Sequence, residues 1–248
     1  MSEKIAEIEL RQRSEILAAA RDYPYEIPRR SFVYSKHRLL DFDPGLCDRR
    51  TPVLAIGSNQ SPARLAQKFG HDAAHVIPVQ RATLRNFDVV YSAHISRYGA
   101  VPAMLQTSQG ASVTVAVTWL DDAQLGIMGQ SEVAAANYAF ALLENLSLQL
   151  DDGSTLSTAH AYVSSRGHLC HGGPVGLAAI HCEGRNFPAM TTAQALELVR
   201  KRTAPQIPAD EFVLRLVSDD DYRAWVTRLI GADAVPFAYP CRILHTRA

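Results

Sequence analysis

The stretch Val53-Leu54-Ala55-Ile56-Gly57-Ser58-Asn59-Gln60-Ser61-Pro62 constrains the chain most. An apolar run suited to a strand stops at a Gly-Ser-Asn turn, and a helix start follows at once. Ser61 suits a helix N-cap and Pro62 the first helical position, where a missing N–H loses no partner. Ala63 to Phe69 continue the helix and Gly70 is placed to close it. Glycine at 57 permits positive φ and close backbone approach by another group. Successive N–H groups at the following helix start favour a carboxylate or phosphate. Ser58 and Asn59 add side-chain hydrogen bonds to such a holder. An ordinary strand-to-helix turn has the same residues, so the stretch alone leaves both readings open.

The surroundings of this turn are strand-rich. Val76 to Val79, Ala82 to Tyr91 and Val113 to Trp119 have strand-forming patterns. Between them lie a Tyr98–Ala103 loop and a Gln109-Gly110 turn. Asp121 or Asp122 caps a helix from Ala123 to about Met128. Tyr138 to Leu150 reads as strand, Asp152-Gly153 as a hairpin turn, and Thr155 to Ser164 as its partner. Val175 to Ile180 suggests one more strand. Consecutive strands joined by tight turns favour a small closed or nearly closed barrel at about 52–182.

Helices flank this centre. Ile5, Ile8, Ile16, Leu17 and Ala20 recur at helical spacing until Tyr23-Pro24 ends the pattern. Residues 29–50 show little periodicity beyond Phe32-Val33-Tyr34. A helix begins at Thr191 or Thr192, with Arg200-Lys201-Arg202 favourable at its end. Pro205 and Pro208 break the chain, and Asp219-Asp220-Asp221 opens a short helix ended by Gly231. The expected organisation is an N-terminal extension at 1–50, the barrel at 51–182, and a helical C-terminal extension at 183–248 packed on it.

Acidic and basic residues balance, 25 against 25 in 248, with no basic run longer than the triplet Arg200-Lys201-Arg202. That argues against nucleic acid as a partner. No stretch approaches the about 18 consecutive apolar residues of a membrane span, and no apolar segment follows Met1–Lys4 as a secretory signal would require. Cys47, Cys170, Cys182 and Cys241 are irregularly spaced and do not suggest a disulfide framework. A reduced, cytoplasmic protein is expected.

Glu132 is the first candidate for chemistry. It follows the Ala123–Met128 helix among Val133, Ala134, Ala135 and Ala136. Burial there would raise its pKa towards neutrality and suit it to accept a proton. The other reading is a solvated loop glutamate. His168, Cys170, His171, His181 and Cys182 cluster, but their spacing matches no metal motif, so no metal is expected. Cys170 with His168 or His171 as a nucleophile lacks an orienting carboxylate. The 168–173 loop could instead close over the barrel mouth. Tyr98 and Tyr138 either line a pocket or fill core and rim.

Taken together, these stretches resemble the γ-glutamyl cyclotransferase-like superfamily. Ala55-Ile56-Gly57-Ser58-Asn59 is similar to its Tyr-Gly-Ser-Asn signature. Arg85-Asn86-Phe87, Gly99-Ala100-Val101-Pro102-Ala103 and Val113 to Trp119 follow in the family's order. Leu125 to Glu132, with Tyr138 six residues on, is similar to its Leu-Asp-x-x-Glu segment and following tyrosine. The resemblance spans about residues 52–165. Ile56 stands where the signature has tyrosine, and Val133 where a glycine is common.

The resemblance implies an α+β fold, a small mixed β-barrel with peripheral helices. It implies cyclisation of a γ-glutamyl group to 5-oxoproline with release of an amine, without metal or organic cofactor. Glu132 would be the general base. Gly57, Ser58 and Asn59, with Tyr98 and Tyr138, would hold a small γ-glutamyl substrate. Two rivals stand beside it: a non-catalytic module binding a small carboxylate or amide, and an amide hydrolase on the same fold. The N-terminal helix packs either on its own barrel or on a second chain, which leaves a homodimer open.

Overall fold

The computed structural model describes residues 2–36, 38–70, 75–133 and 137–244, with side chains of the first helix from residue 11 onward. Ile5, Ile8, Val133 and Ala134–Ala136, invoked above, lie outside the described side chains.

Strands β1 (Phe32–Ser35), β2 (Arg38–Asp41), β3 (Thr51–Ala55), β4 (Val76–Tyr91) and β5 (Ala103–Leu120) come first, after helix α1 (Ser2–Arg21) and with α2 (Pro62–Phe69) between β3 and β4. Helix α3 (Asp122–Val133) leads to β6 (Tyr138–Leu143), β7 (Leu148–Leu150), β8 (Thr155–Leu156) and β9 (Ala159–Ser164). Short strands β10 (Gly176–Leu177), β11 (Cys182–Glu183) and β12 (Ala189–Met190) precede α4 (Thr192–Thr203), α5 (Ala209–Ser218), α6 (Asp220–Ile230) and β13 (Cys241–Ile243). The result is an α+β fold with one mixed sheet and peripheral helices.

The sheet's main path is β12-β10-β4-β5-β3-β9-β6-β13. Most neighbours are antiparallel; β3 with β9 and β10 with β12 are parallel. No described pair joins the path into a closed ring.

The long β4–β5 pairing replaces the two shorter runs and Gln109-Gly110 turn read from the sequence. Asn86 at φ 63° lies at the register shift that bends β4 there. The expected Tyr138–Leu150 strand is interrupted at Asn145, whose φ is 58°. Only Gly176–Leu177 forms a strand within the expected 175–180 run. The weakly patterned 29–50 stretch supplies β1 and β2, and Phe32 pairs with Val79 of β4.

Sheet faces separate two apolar clusters. Leu54, Val115 and Val117 face a core shared with Leu196 of α4, Phe212 of α5 and Val226 of α6. Val53, Ala55 and Ala116 face the other, with Leu65 and Phe69 of α2 and Met128 of α3. Period-2 alternation thus decides which helices each strand residue meets. The C-terminal end of α1 packs on its own chain, with Ala20 fully buried and Arg21 paired to Asp210 of α5 at 2.5 Å. No described helix is long and apolar enough to cross a membrane.

Helix ends follow local chemistry. Asp121 accepts from the Gln124 backbone N–H at 2.9 Å, Thr191 forms a capping box with Gln194, and Asp219 caps α6. Helix α5, missed because Pro205 and Pro208 precede it, begins directly after Pro208.

Candidate functional site

At the C-terminal end of β3 the chain makes a short 3-10 turn, Ser58–Gln60, before α2. Gly57 enters it at φ −135°, outside the left-handed region, which corrects the sequence reading of a positive-φ glycine. Space is what requires glycine here. A Cβ at Gly57 would overlap the Tyr23 hydroxyl and lie 3.0 Å from the Ala103 Cβ. Gly57→Ala is therefore expected to lower stability by about 1–3 kcal/mol. Chemical denaturation reads this as an earlier midpoint at unchanged slope, and an unchanged midpoint would contradict the packing described.

Helix periodicity supplies the rest of the floor. Leu65 and Phe69 of α2 are buried, and Lys68 beside them is 3% exposed at its side chain. In α3, Gln124, Met128 and Glu132 are four apart and share a face. Helix α3 passes the expected end at Met128 and runs through Gly129 to Val133, so Glu132 stands on its last turn rather than on a loop. Lys68 Nζ forms an ion pair with Glu132 and lies 3.2 Å from Met128 Sδ. Asn59 Nδ2 donates to Glu132 Oε1 at 3.1 Å, tying the turn to the carboxylate.

The cavity above this pair has a volume of about 410 Å³. Its lining includes Gly57, Ser58, Asn59, Tyr98, Glu132 and Tyr138, the residues singled out in the sequence. Residues 168–173 do not line it, which corrects the idea of a closing loop. That loop is tied elsewhere: His168 bridges Ser92 and Val235, and Arg202 donates to the Cys170 carbonyl at 2.7 Å. His168 Nδ1 and Cys170 Sγ are 3.7 Å apart, while Cys182 pairs with Val113 of β5. No described group of three His, Cys, Asp or Glu converges as a metal site would require.

Tyr23, Arg64 and His94, which the sequence reading left aside, also reach the cavity. Tyr23, just beyond the N-terminal helix, accepts the Ala103 N–H at 2.9 Å. Its ring stacks on Tyr98 at 6.4 Å, and the Arg64 guanidinium lies 5.3 Å from the Tyr98 ring centroid. Tyr138 donates to the Ala103 carbonyl at 2.9 Å. Burial first, and then the proximity of Tyr98 for Tyr23 and of Tyr23 for Tyr138, push both phenols up, so both remain protonated. His94 sits edge-on to Tyr138, with Nδ1 2.9 Å from Ser92 Oγ. Burial and the Arg166 charge push it down to about 3, against Glu132's opposing pull, so it is a neutral imidazole. Arg64, Lys68, Tyr23 and His94 carry no local motif. The one sequence hint is Arg64 and Lys68, four apart on the helix that leaves the turn.

The electrostatics of Glu132 correct an expectation. Burial is the largest influence and acts upward, as the sequence suggested. The Lys68 charge and hydrogen bond, the Asn59 amide and Arg64 together outweigh it, and the carboxylate is held below its ordinary value of 4.5. Lys68 is lowered by its own burial despite Glu132. A carboxylate depressed on folding contributes stability present above pH 4.5 and lost as pH falls through its folded value. In Lys68→Met the upward pull of burial is left largely unopposed and the sign reverses. The deficit of this variant against the native protein should then grow as pH rises from about 4.5 to 7. Unfolding free energies across that range test this, and a pH-independent deficit would contradict the pairing.

No protein-family model and no curated protein matches the chain. Among solved structures it matches a gamma-glutamyl cyclotransferase at 11% identity and TM-score 0.39, covering 79% of this chain and 94% of that one. The chain resembles a γ-glutamyl cyclotransferase. An uncharacterized protein from Homo sapiens matches at 12% identity and TM-score 0.38, over 87% of this chain and 95% of that one. A protein from Arabidopsis thaliana matches at 18% identity and TM-score 0.34, over 50% and 64%. At this level of likeness the chemistry rests on the side chains alone.

Proposed function

We propose that the cavity binds a small γ-glutamyl compound and cyclises it to 5-oxoproline with release of the attached amine. The observation that carries this reading is the Glu132 carboxylate, lining the cavity and hydrogen-bonded to Asn59 of the turn at 3.1 Å. Arg64 and Arg97 also line the cavity and suit the substrate's α-carboxylate. The substrate's α-amine attacks its own γ-carbonyl carbon while Glu132 takes the proton that the nitrogen loses. A tetrahedral oxyanion results. Tyr23 is suited to meet it: its oxygen already accepts the Ala103 backbone N–H, which leaves its own hydrogen available to donate. Collapse breaks the bond to the leaving nitrogen, and Glu132 returns the proton to the departing amine. The nucleophile belongs to the substrate, so ring closure has the advantage of proximity.

A second reading is a non-catalytic module binding the same class of ligand. The Lys68–Glu132 pair favours it, because a carboxylate held low is a weak base towards an amine. Incubation with γ-glutamyl amino acids and γ-glutamyl amines separates the readings. Cyclisation yields 5-oxoproline and hydrolysis yields free glutamate. Saturable binding with neither product would support the binding module.

A further inference from the structure

We propose that a second cavity, of about 620 Å³, is a binding site for a small organic oxyanion carrying an apolar body, a phosphate monoester or a carboxylate. It is reached by Gln60, the last residue of the turn whose first two residues line the candidate active site. Sheet register builds its floor. Phe32 pairs with Val79, two residues before Arg81 on the same face of β4, and Arg81 stands opposite Ala116 of β5. The small side chain of Ala116 leaves room beside the Arg81 stem, and Phe32 and Val79 give the floor its apolar part.

The charge is one-sided. Arg29, Arg30, Arg81 and His181 line the cavity and no carboxylate does. Arg30 is paired with Asp41 at 2.9 Å. Among the described residues, no hydrogen bond or ion pair engages the guanidinium of Arg29 or Arg81. The nearby Asp151 instead accepts from Ser31, whose hydroxyl oxygen accepts the Arg81 backbone N–H at 2.8 Å. Guanidinium groups gathered around one cavity repel, and an oxyanion relieves that repulsion through paired N–H donors. Gln60 adds an independent sign of an absent partner: the residue is 3% exposed and its Nε2 is buried without a hydrogen bond.

Titration calorimetry with phenyl phosphate and benzoate tests the site and separates the two oxyanion sources. At least one should bind saturably, more tightly than inorganic phosphate, while benzyl alcohol should not. Arg81→Met should weaken that binding about tenfold, the loss expected for a charge-assisted contact. Arg29→Met, altering an exposed residue with little risk to folding, should weaken it in the same direction. Arg64→Met, in the candidate active site, should leave it unchanged. Absence of saturable binding by both oxyanions would overturn the proposal. So would equal affinity for inorganic phosphate, or binding lost in Arg64→Met and kept in Arg81→Met and Arg29→Met.

Discussion

Replacing Glu132 by glutamine should lower 5-oxoproline formation by about 10²–10⁴-fold, the range general-base catalysis supplies. Glutamine keeps the size and a hydrogen bond to Asn59 but cannot take the proton from the substrate's nitrogen. The same change leaves Lys68 charged, 3% exposed and without its counter-ion. Removing one member of a buried pair costs about 3–5 kcal/mol, and the 17% exposure of the Glu132 side chain points to the lower end. Stability and turnover can be separated with a second variant. Glu132→Gln combined with Lys68→Met removes both charges and should recover much of the lost stability while turnover stays absent. A combined variant as unstable as Glu132→Gln alone would show that the two side chains do not interact as described. Steady-state rates and urea unfolding on the same preparations give both quantities.

Tyr23→Phe should have the next largest effect on turnover. The phenol oxygen is fixed by the Ala103 N–H beside Gly57. Loss of one oxyanion donor reduces kcat by about 10²–10³-fold elsewhere, and a comparable drop with KM little changed is expected here. The phenylalanine ring preserves the stacking on Tyr98, so substrate affinity should change less than the rate. If KM rises and kcat holds, Tyr23 serves ground-state binding and the oxyanion role is wrong. This tyrosine also bears on Ile56, which stands where the resembling signature carries a tyrosine. A hydroxyl missing from the turn itself is present at the cavity from another part of the chain.

Local chemistry made the turn and several helix ends legible in the sequence. Pro62 can occupy only a first turn, and Asp121 and Asp219 sit where orphan N–H groups need acceptors. Alternation marked Val113 to Trp119 as strand, although β5 is buried on both faces rather than half-buried. Glu132 emerged through order and spacing of short motifs. What escaped depends on meetings between elements. Lys68 has the composition of a surface lysine, and only the packing of α2 against α3 turns it inward to face Glu132. Tyr23 looked like a helix terminator because Pro24 follows it. Its reach to Ala103, 80 residues away, has no local signal. Helix α3 runs through Gly126 and Gly129, each unfavourable by about 1 kcal/mol relative to alanine. Burial of Gln124 and Met128 along the Glu132 face accompanies that extension. The direction of the Glu132 shift reversed for the same tertiary reason: burial was foreseeable, its counter-ion was not.

Cyclisation of a γ-glutamyl group in this cavity, with Glu132 as the base, remains a proposal until product is seen. The most direct measurement is 5-oxoproline release from a γ-glutamyl panel by the native protein and by the Glu132→Gln, Lys68→Met combined variant, whose fold is checked beforehand. The native protein should release 5-oxoproline from at least one substrate, and the variant none above background. Equal release by both, or binding of the substrates by the native protein without any release, would contradict the proposal.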